Sequence, residues 1–149
     1  MKVEIATTIT PSLIEAMEKL VPQLSRSNPP PTEAQLEQIV ASPSTDLFLA
    51  LTDAGEVVGM ATLVTFRIPT SLRARIEDVV VDESARRGGV ASALTDAMLA
   101  RARELGCSTV DLTSRPSRQA ANQLYQRLGF VLRESNTYRY DLPRSGSRR

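Results

Sequence analysis

Polar and apolar positions alternate over Lys2–Thr7, with Val3 and Ile5 between polar neighbours, and that period of two predicts a half-buried strand. The period then lengthens. Leu13, Ile14, Met17, Leu20, Val21 and Leu24 recur at helical spacing, with Thr10 placed to cap the helix and Pro11 in its first turn. "SNPPPT" ends that helix as a stiff connector, and Thr32 caps a second helix carrying Leu36, Ile39 and Val40. "DLFLALTDAGEVVGMATLVTF" reads as two apolar strands joined at Asp53-Ala54-Gly55.

"RIPTSLRA" is polar and turn-like, and "RIEDVVV" is the next strand. Val90–Leu105 is a helix stopped by Gly106, "CSTVDLTS" a strand, and "SRQAANQLYQRL" a helix ended by Gly129. "FVLRE" and "TYRYDL" form a final strand pair. The order β-α-α-β-β-β-α-β-α-β-β predicts an α/β layered fold: a mixed, mostly antiparallel sheet of about six or seven strands flanked by about four helices. Residues 1–142 read as one domain and 143–149 as an unstructured polar tail.

Composition narrows the chemistry. A chain of 149 residues buries roughly 70% of its unfolded surface as one domain. The net charge of +1 predicts no general attraction to nucleic acid or to a membrane. No apolar leader and no spanning run is visible, so a cytoplasmic location is the default expectation. There is no histidine, which excludes a Ser-His-Asp triad, an H-E-x-x-H zinc site and a histidine base. The single Cys107 forms neither an internal disulfide nor, alone, a zinc site, and reads as a small residue at a strand start. No metal is expected. Carboxylates, Tyr, Ser/Thr, Lys, backbone groups and water remain.

The most informative stretch is "VVVDESARRGGVASAL", from Val79 to Leu94. A strand runs into two arginines, two glycines and a helix. Helix N-termini carry unpaired N–H groups and about half a positive charge. Gly88 and Gly89 free the backbone to wrap an anion, and Arg86 and Arg87 add cations, so the segment suits a pyrophosphate. The bland alternative is a tight helix start with solvated arginines. No G-K-[ST] follows and no G-x-G-x-x-G exists, so neither the P-loop nor the dinucleotide fingerprint applies.

The same stretch resembles the coenzyme A-binding segment of the GNAT superfamily of N-acetyltransferases, whose [QR]-x-x-G-x-[GA] pattern Arg86, Gly89 and Ala91 match. A second segment, "ANQLYQRLGF", resembles the family's A-x-x-x-Y-x-x-x-G-[FY] at Ala121, Tyr125, Gly129 and Phe130. The resemblance implies a GNAT-like fold and direct attack of a primary amine on the thioester of acetyl-CoA. Backbone amides of Arg87, Gly88, Gly89, Val90, Ala91 and Ser92 would bind the pyrophosphate, and the strand Val79, Val80 and Val81 would pair with the pantetheine arm.

On that resemblance Tyr125 is the acid for the departing thiolate; by its spacing with Leu124 and Leu128 it is also a candidate core residue. Glu77, expected on the same strand face as Val79 and Val81, is the candidate base, with Asp78 pointing away; Glu77 also suits an ion pair with Arg73 or Arg75. Asn122 is a candidate cofactor contact, although many members carry an asparagine where this chain has Arg118. The expected acceptor is a small-molecule or peptide amine, with no nucleic-acid partner. A non-catalytic acyl-CoA-binding module is the alternative. A final strand leaving an open sheet edge would favour a homodimer.

Overall fold

The computed structural model describes residues 1–143. Apart from Pro143, the expected tail lies outside the described residues. The elements are β1 (Lys2–Ile5), α1 (Pro11–Leu24), α2 (Glu33–Ala41), β2 (Thr45–Leu51), β3 (Val57–Ile68), β4 (Ser71–Val81), α3 (Val90–Leu105), β5 (Thr109–Asp111) and α4 (Gln119–Arg127), with a short 3-10 turn at Glu83–Ala85.

Local chemistry starts the helices where the sequence predicts. Thr10 Oγ1 accepts from Leu13 N at 3.1 Å. Thr32 and Gln35 form a reciprocal capping box, each side chain taking the other's backbone N–H. Gly106 follows α3 at φ 82°, a left-handed geometry natural to glycine.

One sheet runs in the order β1-β2-β3-β4-β5, antiparallel through β4 and parallel between β4 and β5. It is mixed and mostly antiparallel as expected, but among the described residues it has five strands rather than six or seven. The expected strands "FVLRE" and "TYRYDL" are absent: from Phe130 to Pro143 the chain has no regular structure. A strand exists only by its partner, and none is in place there among the described residues. "RIPTSLRA", expected as a link, is mostly strand; β3 and β4 pair to their ends at Ile68 and Ser71, leaving only Pro69 and Thr70 as the turn.

Two apolar clusters sandwich the sheet. On one face Leu13, Met17 and Leu20 of α1 and Leu36 of α2 meet Leu47, Leu49, Met60 and Val80. On the other, Val90, Leu94 and Met98 of α3 meet Phe48, Ala61, Leu63, Ala74 and Ile76. Leu20, Leu63, Leu94 and Met98 are completely buried, each worth about 1.5–3 kcal/mol of transfer free energy. This packing fixes the N-terminus of α3 against the end of β4.

Candidate active site

The register between β3 and β4 breaks at one place. Met60 faces Val80 and Thr62 faces Glu77, so Asp78 and Val79 together oppose Ala61 alone. Asp78 absorbs the extra residue at φ 53°. This bulge reverses the alternation along β4. Glu77 lies with Thr62 on the face of α1 and α2, whereas Val79 and Val81 pack toward the α3 cluster. The expectation that Glu77 shares a face with Val79 and Val81 is therefore corrected; strict alternation holds only in an unbroken ladder.

Glu77 is paired with Arg75 Nε of its own strand, and Arg75 also donates to Thr113 Oγ1 at 3.3 Å. Burial, and then the neighbouring Glu77 charge, raise the Asp78 carboxyl above its ordinary range.

The ladder to β5 spans only Arg73–Arg75. From Ile76 to Val81, β4 has no partner strand on that side among the described residues, so the two parallel strands open into a gap. Val79, Val80 and Val81 line its β4 edge. Three residues beyond β5, Ser114 Oγ is buried with no hydrogen-bond partner among the described residues.

The open edge leads into the N-terminus of α3. Gly89 caps that helix at φ 79° with no side chain, leaving the N–H groups of Val90, Ala91 and Ser92 without intrahelical partners. Arg87 also lies at positive φ, 68°. Successive amides in such a turn form a concave donor surface, and Arg86 and Arg87 are exposed around it. Arg86 Nε donates to Val81 O at 3.3 Å, which ties the loop to the strand end. These donors fit a diphosphate, and the free β4 edge fits an amide-bearing arm. A cleft of about 220 Å³ lies elsewhere, between α1 and α2 against Pro30 and Pro31.

Several residues that set this geometry carry no motif. Gly59 on β3 faces the start of α3 so closely that a Cβ would stand 2.8 Å from Val90 Cγ1 and 3.3 Å from Val80 O. An isolated glycine inside a strand is the one sequence sign of such an approach. Asp82, at the end of β4, is buried and accepts from Ser84, Gln23 and Lys19, whose combined effect holds its carboxyl down to about 2 against desolvation. Its partners on α1 are distant in sequence and left no local trace.

The Tyr125 ring meets Phe130 edge-on with centroids 5.7 Å apart. Burial raises its hydroxyl above the ordinary tyrosine value, opposed by the nearby Arg118 cation. The hydroxyl has no hydrogen-bond partner among the described residues. Asn122 uses both amide hydrogens on the carbonyls of Arg115 and Arg118, at 2.9 Å each. Only its Oδ1 remains, an acceptor that repels phosphate and suits an N–H or O–H. Cys107 is a half-buried free thiol before β5 that packs against the α3 cluster. Among the described residues no group of three His, Cys, Asp or Glu is placed to hold a metal, and no helix is long and apolar enough to cross a membrane.

Comparison with known proteins agrees in scale with this architecture. Residues 13–130 match the family model described as acetyltransferase (GNAT) family. A putative acetyltransferase from Agrobacterium tumefaciens superposes with a TM-score of 0.83 at 24% identity, covering 95% of this chain and 100% of its own. An acetyltransferase from Trypanosoma brucei gives 0.77 at 26%, covering 95% and 99%. AAC(6')-Iy, solved with the bisubstrate analog CoA-S-monomethyl-acetylneamine, gives 0.75 at 23%, covering 95% and 100%. None of the curated proteins matches the chain.

Proposed function

The chain belongs to the acetyltransferase (GNAT) family, and from that premise we propose that it transfers the acetyl group of acetyl-CoA to a primary amine by direct attack on the thioester. The observation that carries this reading is the continuous path from the unpaired β4 edge, Ile76–Val81, into the side-chain-free cap of α3. A ligand with a diphosphate at one end and an amide-bearing arm leading to a thioester matches both halves of that path.

In this reading the backbone amides from Arg87 to Ser92 bind the diphosphate, with Arg86 and Arg87 neutralising its charge. Val79, Val80 and Val81 offer backbone groups to the arm and an N–H to the thioester carbonyl as negative charge develops on its oxygen. Asn122 Oδ1 accepts from an amide of the arm. Glu77, on the face of α1 and α2, takes the proton the amine must lose, and Arg75 fixes its orientation. Tyr125 gives a proton to the departing thiolate; burial keeps that proton in place until a sulfur anion forms beside it. The acceptor is a small-molecule or peptide amine, and the enzyme works in the cytoplasm.

Two measurements test the proposal. Isothermal titration with coenzyme A is expected to give one site per chain. Thiol release from acetyl-CoA, screened across amines, phosphosugars, amino acids and peptides, is expected to rise with at least one acceptor. Binding without turnover on any amine would leave a coenzyme A-binding module; absence of binding would remove the proposal.

A further inference from the structure

The sheet face that carries Glu77 is only partly covered. On β3 and β4 the α1 and α2 cluster ends at Met60 and Val80, and Val64 and Phe66, further along β3, belong to neither apolar cluster. Phe66 is 39% exposed. The register sets Thr62 against Glu77, Val64 against Arg75 and Phe66 against Arg73. The ladder is unbroken between Glu77 and Arg73, so these side chains share one face and form a track along it. Ala74 and Ile76, between them, point into the α3 cluster. Arg67, four places from Leu63, also falls on the α3 face.

The two arginines of the track differ. Arg75 is occupied: Nε pairs with Glu77, Nη2 donates to Thr113 Oγ1, and Asp111 stands opposite it on β5. Arg73 has no carboxylate within ion-pair distance among the described residues. Its Nε donates to Ser71 Oγ at 3.2 Å and its β5 neighbour is Thr109, which leaves the two terminal nitrogens. A half-buried guanidinium held by its inner nitrogen and presenting its outer pair is a seat for two oxygens of one anion.

Resting on the acetyl-transfer reading, which puts the reacting amine at Glu77, we infer that the acceptor is an amine carrying a carboxylate or phosphate at the far end of a short apolar chain, and that Arg73 binds that anion. Glu77 and Arg73 are four residues apart, about 13 Å between Cα atoms at about 3.3 Å per residue. An α-amino acid holds its amine and carboxylate on one carbon and is too short to meet both. Val64 and the Phe66 ring, opposite Arg75 and Arg73, give the intervening chain an apolar floor.

Matched acceptors test this. Thiol release with 6-aminohexanoate and with 5-aminopentyl phosphate is compared with 6-aminohexanamide, which keeps the length without the charge, and with glycine, which keeps the charge without the length. At least one anionic chain is expected to exceed both controls about tenfold or more in kcat/KM, mainly through KM, and the better of the two identifies the anion. Arg73→Gln is expected to bring that acceptor level with the amide while calorimetric binding of coenzyme A holds. Arg67→Gln, on the opposite face, is expected to keep the preference. Equal rates for anion and amide, a preference that survives Arg73→Gln, or one lost equally in Arg67→Gln would overturn the inference. Calorimetry of the same acceptors on the coenzyme A complex reads the seat without chemistry. Arg73-dependent binding of the anion with no turnover would remove acetyl transfer and keep the seat. Turnover indifferent to the anion would remove the seat and keep the transfer, and heat from none of the acceptors would overturn the seat as well.

Discussion

Gln23 Nε2 lies 2.8 Å from Asp82 Oδ1, and Gln23 Oε1 accepts the Glu83 N–H at 3.0 Å. One amide on α1 therefore fastens both the end of β4 and the start of the loop that leads to the arginines and glycines. Removing it frees the loop without touching the loop's own residues. Gln23→Ala is expected to weaken coenzyme A binding roughly tenfold by titration calorimetry, the scale of one or two lost hydrogen bonds.

The same cluster makes stability depend on acid. Hydrogen bonds from Ser84 and Gln23 hold the Asp82 carboxyl at about 2, below its ordinary 3.8. The unfolded chain therefore takes up this proton first as pH falls. Its contribution is complete above 3.8 and is lost as pH drops through about 2. Urea unfolding of wild type and Asp82→Asn is expected to show a gap in stability that is constant at neutral pH and narrows below pH 3.8.

The contrast between these residues and the glycine loop shows what a sequence can disclose. Gly88, Gly89 and the arginines are legible because a helix N-terminus is built from neighbours in the chain. Gln23 and Asp82 meet only after α1 packs on the sheet. The reversal at Asp78 is a property of register between two strands, so alternation alone put Glu77 on the wrong face. The terminal segment is the sharper case: Tyr138, Tyr140 and Leu142 have strand periodicity, yet periodicity states a preference and a ladder needs a second edge.

Gly59 is expected to be intolerant of any side chain. A Cβ there would stand 2.8 Å from Val90 Cγ1, on a stiff β-branched residue, and 3.3 Å from a backbone oxygen. Gly59→Ala should cost about 1–3 kcal/mol in urea unfolding and push the α3 N-terminus away from β4, raising the dissociation constant for coenzyme A. Val90→Ala removes the obstructing methyl. The double variant is therefore expected to recover part of both losses, and a strictly additive pair would show that the strain lies elsewhere.

Glu77 and Asp78 are coupled by charge across the bulge. Burial is the larger cause of the raised Asp78 value and Glu77 the smaller. Glu77→Gln should lower the Asp78 value, observed by carboxyl-carbon NMR titration, while leaving it above 3.8 because burial remains. In turnover, Glu77→Gln is expected to reduce kcat about 100-fold or more if this carboxylate receives the amine proton. Full activity in Glu77→Gln with loss in Asp78→Asn would transfer that role to Asp78.

Tyr125→Phe separates chemistry from packing, because the ring contact with Phe130 survives and only the hydroxyl goes. Stability should hold, since the hydroxyl has no partner to lose. Raised by burial, the phenol stays protonated through neutral pH, so wild-type turnover should fall on its alkaline side only above pH 10. The variant is expected to keep its KM for acetyl-CoA within about twofold, lose kcat by about 100-fold and lose that alkaline limb with it. A substrate with a better thiolate leaving group should recover much of the lost rate, because the proton is then needed less. Unchanged kcat would assign Tyr125 to packing alone and leave the sulfur to be protonated by water.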